Sequence, residues 1–254
     1  MRKLFLIGIG AGHPDHVTMQ AIHALNQVDV FFTIDKGAEK EDLIRLRQEI
    51  CDAHIKDKSY RTVVAPDAER DRAPPSYQKA VKDWHDNRAA LFEKMIAKEL
   101  GEDECGAFLV WGDPALYDST LRIVGAILAR GAVAFTYEVI PGISSVQALA
   151  AAHKISLHEI GAPIHITTGR NVAGGFPEGF DNIVVMLDAH CAFKNVRDAD
   201  FDIYWGAYIG TKDEILMSGA LREVADEIER IRGEARARKG WIMDTYLLRR
   251  RDKG

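Results

Sequence analysis

Short apolar runs that stop at turn residues alternate with stretches of helical period along most of the chain. Leu4–Ile9 is apolar and ends at a glycine, the mark of a buried strand. Pro14 and Asp15 then open a helical stretch over Val17–Asn26, because a proline loses nothing where its N–H would have no intrahelical partner. Val28–Ile34 reads as the next strand. This β-α-β order favours a parallel sheet with right-handed crossovers. Further helices are expected over Asp42–His54, from a cap at Ser76 to Leu100, over Ser119–Arg130 with Gly131 as the stop, and over Val146–Ala152 and Ala220–Arg232. Further strands are expected at Gly106–Trp111, Phe135–Ile140, Ile164–Thr168, Asn182–Leu187, Ile203–Ile209 and Trp241–Leu247. Residues 36–76 break the rhythm. Lys36, Glu39 and Lys40 charge one end and Arg70, Asp71, Arg72 and Pro74-Pro75 mark the other, so past its helix this stretch reads as an exposed, solvated insertion. The pattern predicts an α/β protein of two domains, 1–140 and 141–254.

Composition narrows the class. A chain of 254 residues with 47% hydrophobic content can bury a large core. Its formal net charge of −5 and the lack of a dominant basic tract imply no nucleic-acid partner. The basic end at Arg249–Arg251 is too short to change that. Cys51, Cys105 and Cys191 are scattered, with no disulfide framework and no C-x-x-C pair. No apolar run approaches the roughly 20 residues that span a bilayer. A cytoplasmic protein with no membrane partner is expected. His153, His158 and His165 lack compact ligand spacing, so no metal is expected. Trp84, Trp111, Trp205 and Trp241 read as packing residues.

Candidate chemistry gathers in three loops, each after an apolar run. The first is Gly8–Asp15 (GIGAGHPD), the second Trp111–Tyr117 (WGDPALY) and the third Val139–Ser145 (VIPGISS). The first misses the dinucleotide fingerprint, since His13 stands where a last glycine belongs, although Asp35 sits where a ribose-binding acid would. No P-loop motif is present. Glycine permits positive φ and close approach of a ligand to the backbone, and Gly10 and Gly112 are candidates for that role. Asp113 can accept hydrogen bonds from an amine or simply cap its own turn. Tyr117 suits packing under its loop, and Ser119 and Thr120 fall where a helix N-cap is expected. After Pro141, the start of a helix at Ser144 and Ser145 offers backbone N–H groups to a carboxylate. In an open parallel sheet such strand ends face one crevice.

At these three loops the chain resembles the S-adenosylmethionine-dependent tetrapyrrole methylases, a family with the class III methyltransferase fold. Ala11 replaces the proline of the usual G-x-G-P-G first loop. Asn182–Leu187 and Ala207–Leu221 resemble the family's later segments, so the likeness spans nearly the whole chain. It implies two α/β domains with a cofactor cleft between them, a homodimer, S-adenosyl-L-methionine as cofactor with S-adenosyl-L-homocysteine as product, and a tetrapyrrole substrate. Carried onto this sequence, it implies cofactor contacts from Gly10, Gly112, Asp113, Tyr117, Ser119, Thr120, Pro141, Met186 and Ala207. Pro14 and Asp15 would face the macrocycle, and Arg61 and Arg170 could meet its acetate and propionate arms. The charged insertion and the His13-Pro14-Asp15 ending resemble a branch that methylates C1 of precorrin-5 and releases an acetyl group as acetate in aerobic cobalamin synthesis. That chemistry needs a base, for which Asp15, His13 and His16 are the candidates. A corrin C-methyltransferase without deacetylation, a nicotinamide oxidoreductase and a non-enzymatic binding module are the alternatives.

Overall fold

The first apolar run becomes strand β1 (Lys3–Gly8), whose successive side chains point to opposite faces. Leu4 and Leu6 join one core with Phe32, Phe92, Ile96, Phe108 and Ile123. Phe5 and Ile7 join another with Ala21, Leu25, Phe31 and Ile50. A strand apolar on both faces needs helices on both sides, and the first half of the chain supplies them. In this computed structural model, which describes residues 1–35, 41–56, 59–68, 77–177, 179–196 and 200–251, the chain divides into two units, Met1–Ser144 and Ser145–Gly254.

The first unit holds β2 (Val30–Asp35), β3 (Arg61–Pro66), β4 (Cys105–Val110) and β5 (Thr136–Ile140) beside β1, in the order β3-β2-β4-β1-β5. Every pairing is parallel. Helices α1 (Met19–Leu25) and α2 (Glu41–His54) follow β1 and β2, while α3 (Tyr77–Glu99) and α4 (Thr120–Arg130) flank β4 in sequence. Three elements depart from the sequence reading. The proline at 14 opens a separate 3-10 turn, Pro14–His16, and the Thr18 hydroxyl, accepting from Ala21 N at 3.1 Å, caps a shorter α1. The insertion contains strand β3, missed because all but two of its residues are exposed. Ser76, Lys36, Glu39, Lys40, Glu69–Arg72 and Pro74-Pro75 lie outside the described residues. As expected, α4 stops at Gly131, a left-handed C-cap at φ 67°.

The second unit begins with α5 (Ser145–His153) and carries a mixed sheet in the order β6-β7-β10-β8-β9. Its strands are β6 (His165–Thr168), β7 (Asn182–Met186), β8 (Phe201–Ala207), β9 (Ile215–Ala220) and β10 (Asp244–Arg250). Only β6 and β7 run parallel, while β10 pairs antiparallel with β7 and β8. Strand β9 was not anticipated, and the last strand starts three residues beyond Trp241. The short helix α6 (Gly169–Val172) follows β6. Helix α7 (Leu221–Lys239) buries Leu221, Ala225, Ile228, Arg232 and Ala235, a stripe of helical period. Arg249 and Arg250 form the end of β10 rather than a tail, with Arg250 Nε 3.1 Å from Asp181. Among the described residues, no helix is long and apolar enough to cross a membrane.

Candidate functional site

Strands β4, β1 and β5 are adjacent and parallel, so the loops that follow them emerge side by side at one end of the first sheet. Those loops are the three glycine loops. Gly10 and Gly112 form an antiparallel bridge, with Gly112 N donating to Gly10 O at 2.8 Å. Asp113 joins the second loop to the third. Its Oδ2 accepts from Gly142 N at 2.9 Å and its Oδ1 from Ala115 N at 2.8 Å. Of the two roles open to this carboxylate, the structure shows the turn cap, extended into a brace between loops.

Gly10 and Gly112 hold the positive φ that glycine permits, 80° and 64°, and close packing is a second reason for glycine in these loops. A Cβ on Gly142 would lie 2.1 Å from Gly112 O, and one on Gly8 would lie 2.6 Å from Gly142 N. A Cβ on Gly10 would meet His16 Cβ at 2.6 Å. These positions are glycine because backbone packs on backbone within the first unit, and the space a side chain would take is occupied by protein.

The rim of the loops carries the polar groups. His13 Nδ1 accepts from Asp15 N at 3.1 Å, and the His13 and His16 rings stand 5.5 Å apart. Asp15 is a surface carboxylate with 84% of its side chain exposed. His54 on α2, unnoticed in the sequence, donates from Nε2 to Pro14 O at 3.0 Å and holds the turn in place. Tyr117 does not pack under its loop. It is 45% exposed and held at φ 52°, a region that costs a non-glycine residue energy. Ser119 makes no side-chain cap; instead Asp118 Oδ1 accepts from Thr120 N at 2.6 Å. The Ser119 hydroxyl receives Arg88 Nη1 at 3.4 Å, and Arg88 is in turn clamped by Asp67 at 2.7 Å. Arg47 on α2 reaches Leu109 O and lies 5.4 Å from the Trp111 ring.

Arg61 stands apart from this group. It begins β3, with its N–H bonded to Asp29 O, and so sits at the opposite end of the parallel sheet from the loops. Its guanidinium is engaged by both oxygens of Glu104, at 2.8 and 2.6 Å, and by Glu99 O. That pairing, with the Gly101 N–H, pulls the Glu104 carboxyl down to about 2. Arg61 is a strand clamp, and the expectation that it meets substrate is corrected.

The second unit holds the remaining candidates. Met186 ends β7 opposite Thr245, and Ala207 ends β8 opposite Asp244, so both flank the start of β10. Ala207 is fully buried. Ser145 Oγ and Thr245 Oγ1 are 3.0 Å apart. Arg170 is an exposed residue of α6. Directly after Met186, Leu187 is 66% exposed at φ 53°. A buried polar network that the sequence did not announce fixes its neighbour. Asp188 accepts from His190 N, Ala192 N and the Tyr246 hydroxyl, while Arg232 donates to Asp188 O and to Asp244. Burial and the Asp188 carboxylate both push the Tyr246 phenol upward. A mid-helix arginine reads as a solvated face in a sequence, and nothing local marks Arg47, Arg88 or Arg232 as turned inward.

A fold of this kind, with glycine loops interlocked at the ends of three neighbouring parallel strands, defines a class, and comparison with known families agrees. The profile of the tetrapyrrole (corrin/porphyrin) methylases matches residues 3–225, and the chain belongs to that family. The two α/β sheets expected from the resemblance are borne out. Over 250 residues the chain is 53% identical to a precorrin-6A synthase [deacetylating] of Sinorhizobium sp., covering 98% of this chain and 96% of the relative. A crystal structure of a cobalamin synthesis related protein (CobF) from Corynebacterium diphtheriae superposes with a TM-score of 0.84 at 38% identity, covering 99% of this chain and all of the other. The uroporphyrin-III C-methyl transferase of Thermus thermophilus, solved in complex with S-adenyl homocysteine, shares the fold at a TM-score of 0.59 and 18% identity, with 97% and 96% coverage.

Proposed function

We propose that this chain is an S-adenosyl-L-methionine-dependent C-methyltransferase that converts precorrin-5 to precorrin-6A, methylating C1 and releasing acetate. The observation that carries the reading is the joining of three strand-end loops into one rim, the Gly10–Gly112 bridge tying the first to the second and Asp113 the second to the third. The Sinorhizobium relative, named for this reaction and matched over nearly all of both chains, supports it.

The first unit's residues fit such a cofactor. Tyr117 is 45% exposed at a backbone φ of 52°, which leaves a ring face to meet a flat ligand. When bound, the cofactor supplies a methyl group on a sulfonium and becomes a neutral thioether. The positive charge disappears as the methyl moves, so a carboxylate close to it would favour the ground state over the transition state. Asp113 has amide partners for both oxygens, from Ala115 and Gly142, and is suited to a place by the cofactor's amino-acid end rather than by the reacting carbon. Rigid loops contribute alignment, worth up to roughly 7–11 kcal/mol in ideal intramolecular cases. Loss of the acetyl group consumes one water: its oxygen bonds the acyl carbon, the bond from that carbon to the ring breaks with its electron pair staying on the macrocycle, acetate leaves, and the protons of the water must be accepted nearby. Asp15, exposed beside His13, is proposed as the base. Gly10, Gly112, Tyr117, Ser119, Thr120 and Pro141 remain the proposed cofactor contacts of this unit. A cytoplasmic homodimer belongs to the same reading, and the three free cysteines fit a reducing compartment.

The test is product stoichiometry. Purified protein given precorrin-5 and S-adenosyl-L-methionine should yield one S-adenosyl-L-homocysteine and one acetate per turnover. Methyl transfer without acetate would make it a different corrin methyltransferase, and neither product would defeat the proposal.

A further inference from the structure

We infer that Arg47, together with the indole N–H of Trp111, forms a carboxylate-binding site at the rim of the first sheet. Arg47 lies on the inward stripe of α2, four residues after the buried Leu43 and three and four before the buried Ile50 and Cys51. Its Nη1 donates to Leu43 O at 3.0 Å and its Nε to Leu109 O at 3.4 Å, near the end of β4. These are backbone carbonyls, and among the described residues the guanidinium has no carboxylate partner in contact and Nη2 makes no hydrogen bond. Asp118 acts on it only across a longer gap. The two fully buried arginines are treated differently: Arg88 is clamped by Asp67 and Arg232 by Asp244. A desolvated cation without a counter-charge is costly, and burial lowers the Arg47 pKa to about 10, which still leaves it charged at neutral pH.

Trp111 adds a second donor. It follows the last residue of β4 and precedes Gly112, its ring lies 5.4 Å from the Arg47 guanidinium, and its buried Nε1 has no acceptor among the described residues. The Trp205 indole, by contrast, donates to Asp244. An orphan indole alone would say little, since Trp241 has one too. Beside an arginine with no carboxylate in contact among the described residues, at the end of β4, it points to an acceptor that binds both. This rests on the methyltransferase reading, which brings two sources of carboxylate: the amino-acid end of the cofactor and the acetate or propionate arms of the macrocycle.

Titration calorimetry of Arg47→Gln against wild type, with S-adenosyl-L-homocysteine and separately with the octacarboxylate uroporphyrin III, separates the sources. At least tenfold weaker binding of one ligand, with the other unchanged, is expected and names the source. Arg47→Lys should recover part of the loss, and Trp111→Phe, which keeps the ring, should weaken the same ligand by a smaller factor. If Arg47→Gln does not fold, those two variants carry the test. Binding of both ligands within twofold of wild type in every variant overturns the site alone. Loss of both together with a lowered melting temperature assigns Arg47 to folding and also overturns it. Wild-type protein that binds neither ligand overturns the methyltransferase reading and this site with it.

Discussion

Glycine shows how one residue type can be recognised in sequence for one reason and be required in the fold for another as well. Gly8, Gly112 and Gly142 stood out because each follows an apolar run, and that spacing was legible. Their close backbone packing was not, because it depends on strands far apart in sequence becoming neighbours. Gly142 meets Gly112 O so closely that no side chain fits. Overpacking of this kind costs about 1–3 kcal/mol, and more where backbone must move. Gly142→Ala is therefore expected to lower the urea midpoint by an amount equal to about 3 kcal/mol and to weaken S-adenosyl-L-homocysteine binding. Gly233, inside α7, has nothing within 4 Å of an added Cβ. Gly233→Ala should raise stability by about 0.5–1 kcal/mol through helix propensity, with binding unchanged.

At the scale of elements, most strands announced themselves and two edge strands, β3 and β9, did not. Strand β7 has four fully enclosed residues and was read to within one position, whereas β3 and β9 offer apolar runs of only three residues, Val63–Ala65 and Ile215–Met217. An edge strand is held by a neighbour's hydrogen bonds and by clamps such as Arg61–Glu104, neither of which has a local sequence pattern. Arg61→Ala should cost roughly 0.5–1 kcal/mol, the upper part of the range for a surface ion pair, and leave cofactor and substrate affinity unchanged. Unchanged stability with lost substrate binding would restore Arg61 to the site. The pair also has a pH signature. The folded carboxyl titrates near 2, below its ordinary 4.5. Its stabilisation is thus complete above about pH 5 and disappears as the pH falls from there through 2. The stability difference between wild type and Glu104→Gln, followed by denaturant unfolding, should shrink across that window.

For the whole molecule, the two units solve the same packing problem with different sheets: five parallel strands in one, and a mixed sheet with an antiparallel centre in the other. Parallel order puts every strand's C-terminal end on one side, and this is why the first unit can assemble a rim of loops at all. The proposed reaction asks that rim for two separable tasks. Asp15→Asn, at a position 84% exposed, should fold normally and keep methyl transfer while acetate release falls by roughly 10²-fold or more, as loss of a general base does. Equal rates of both would remove Asp15 from the mechanism. Period-2 and helical patterns, with glycine after each apolar run, were enough to establish an α/β fold, the family likeness and the three loops. These are short-range properties, written into neighbouring residues. Which carboxylate braces a loop, which arginine turns inward and which clamps a strand were settled only by tertiary structure. Those roles depend on partners tens of residues away, brought within hydrogen-bond reach by the order of the strands, and no local pattern encodes that order.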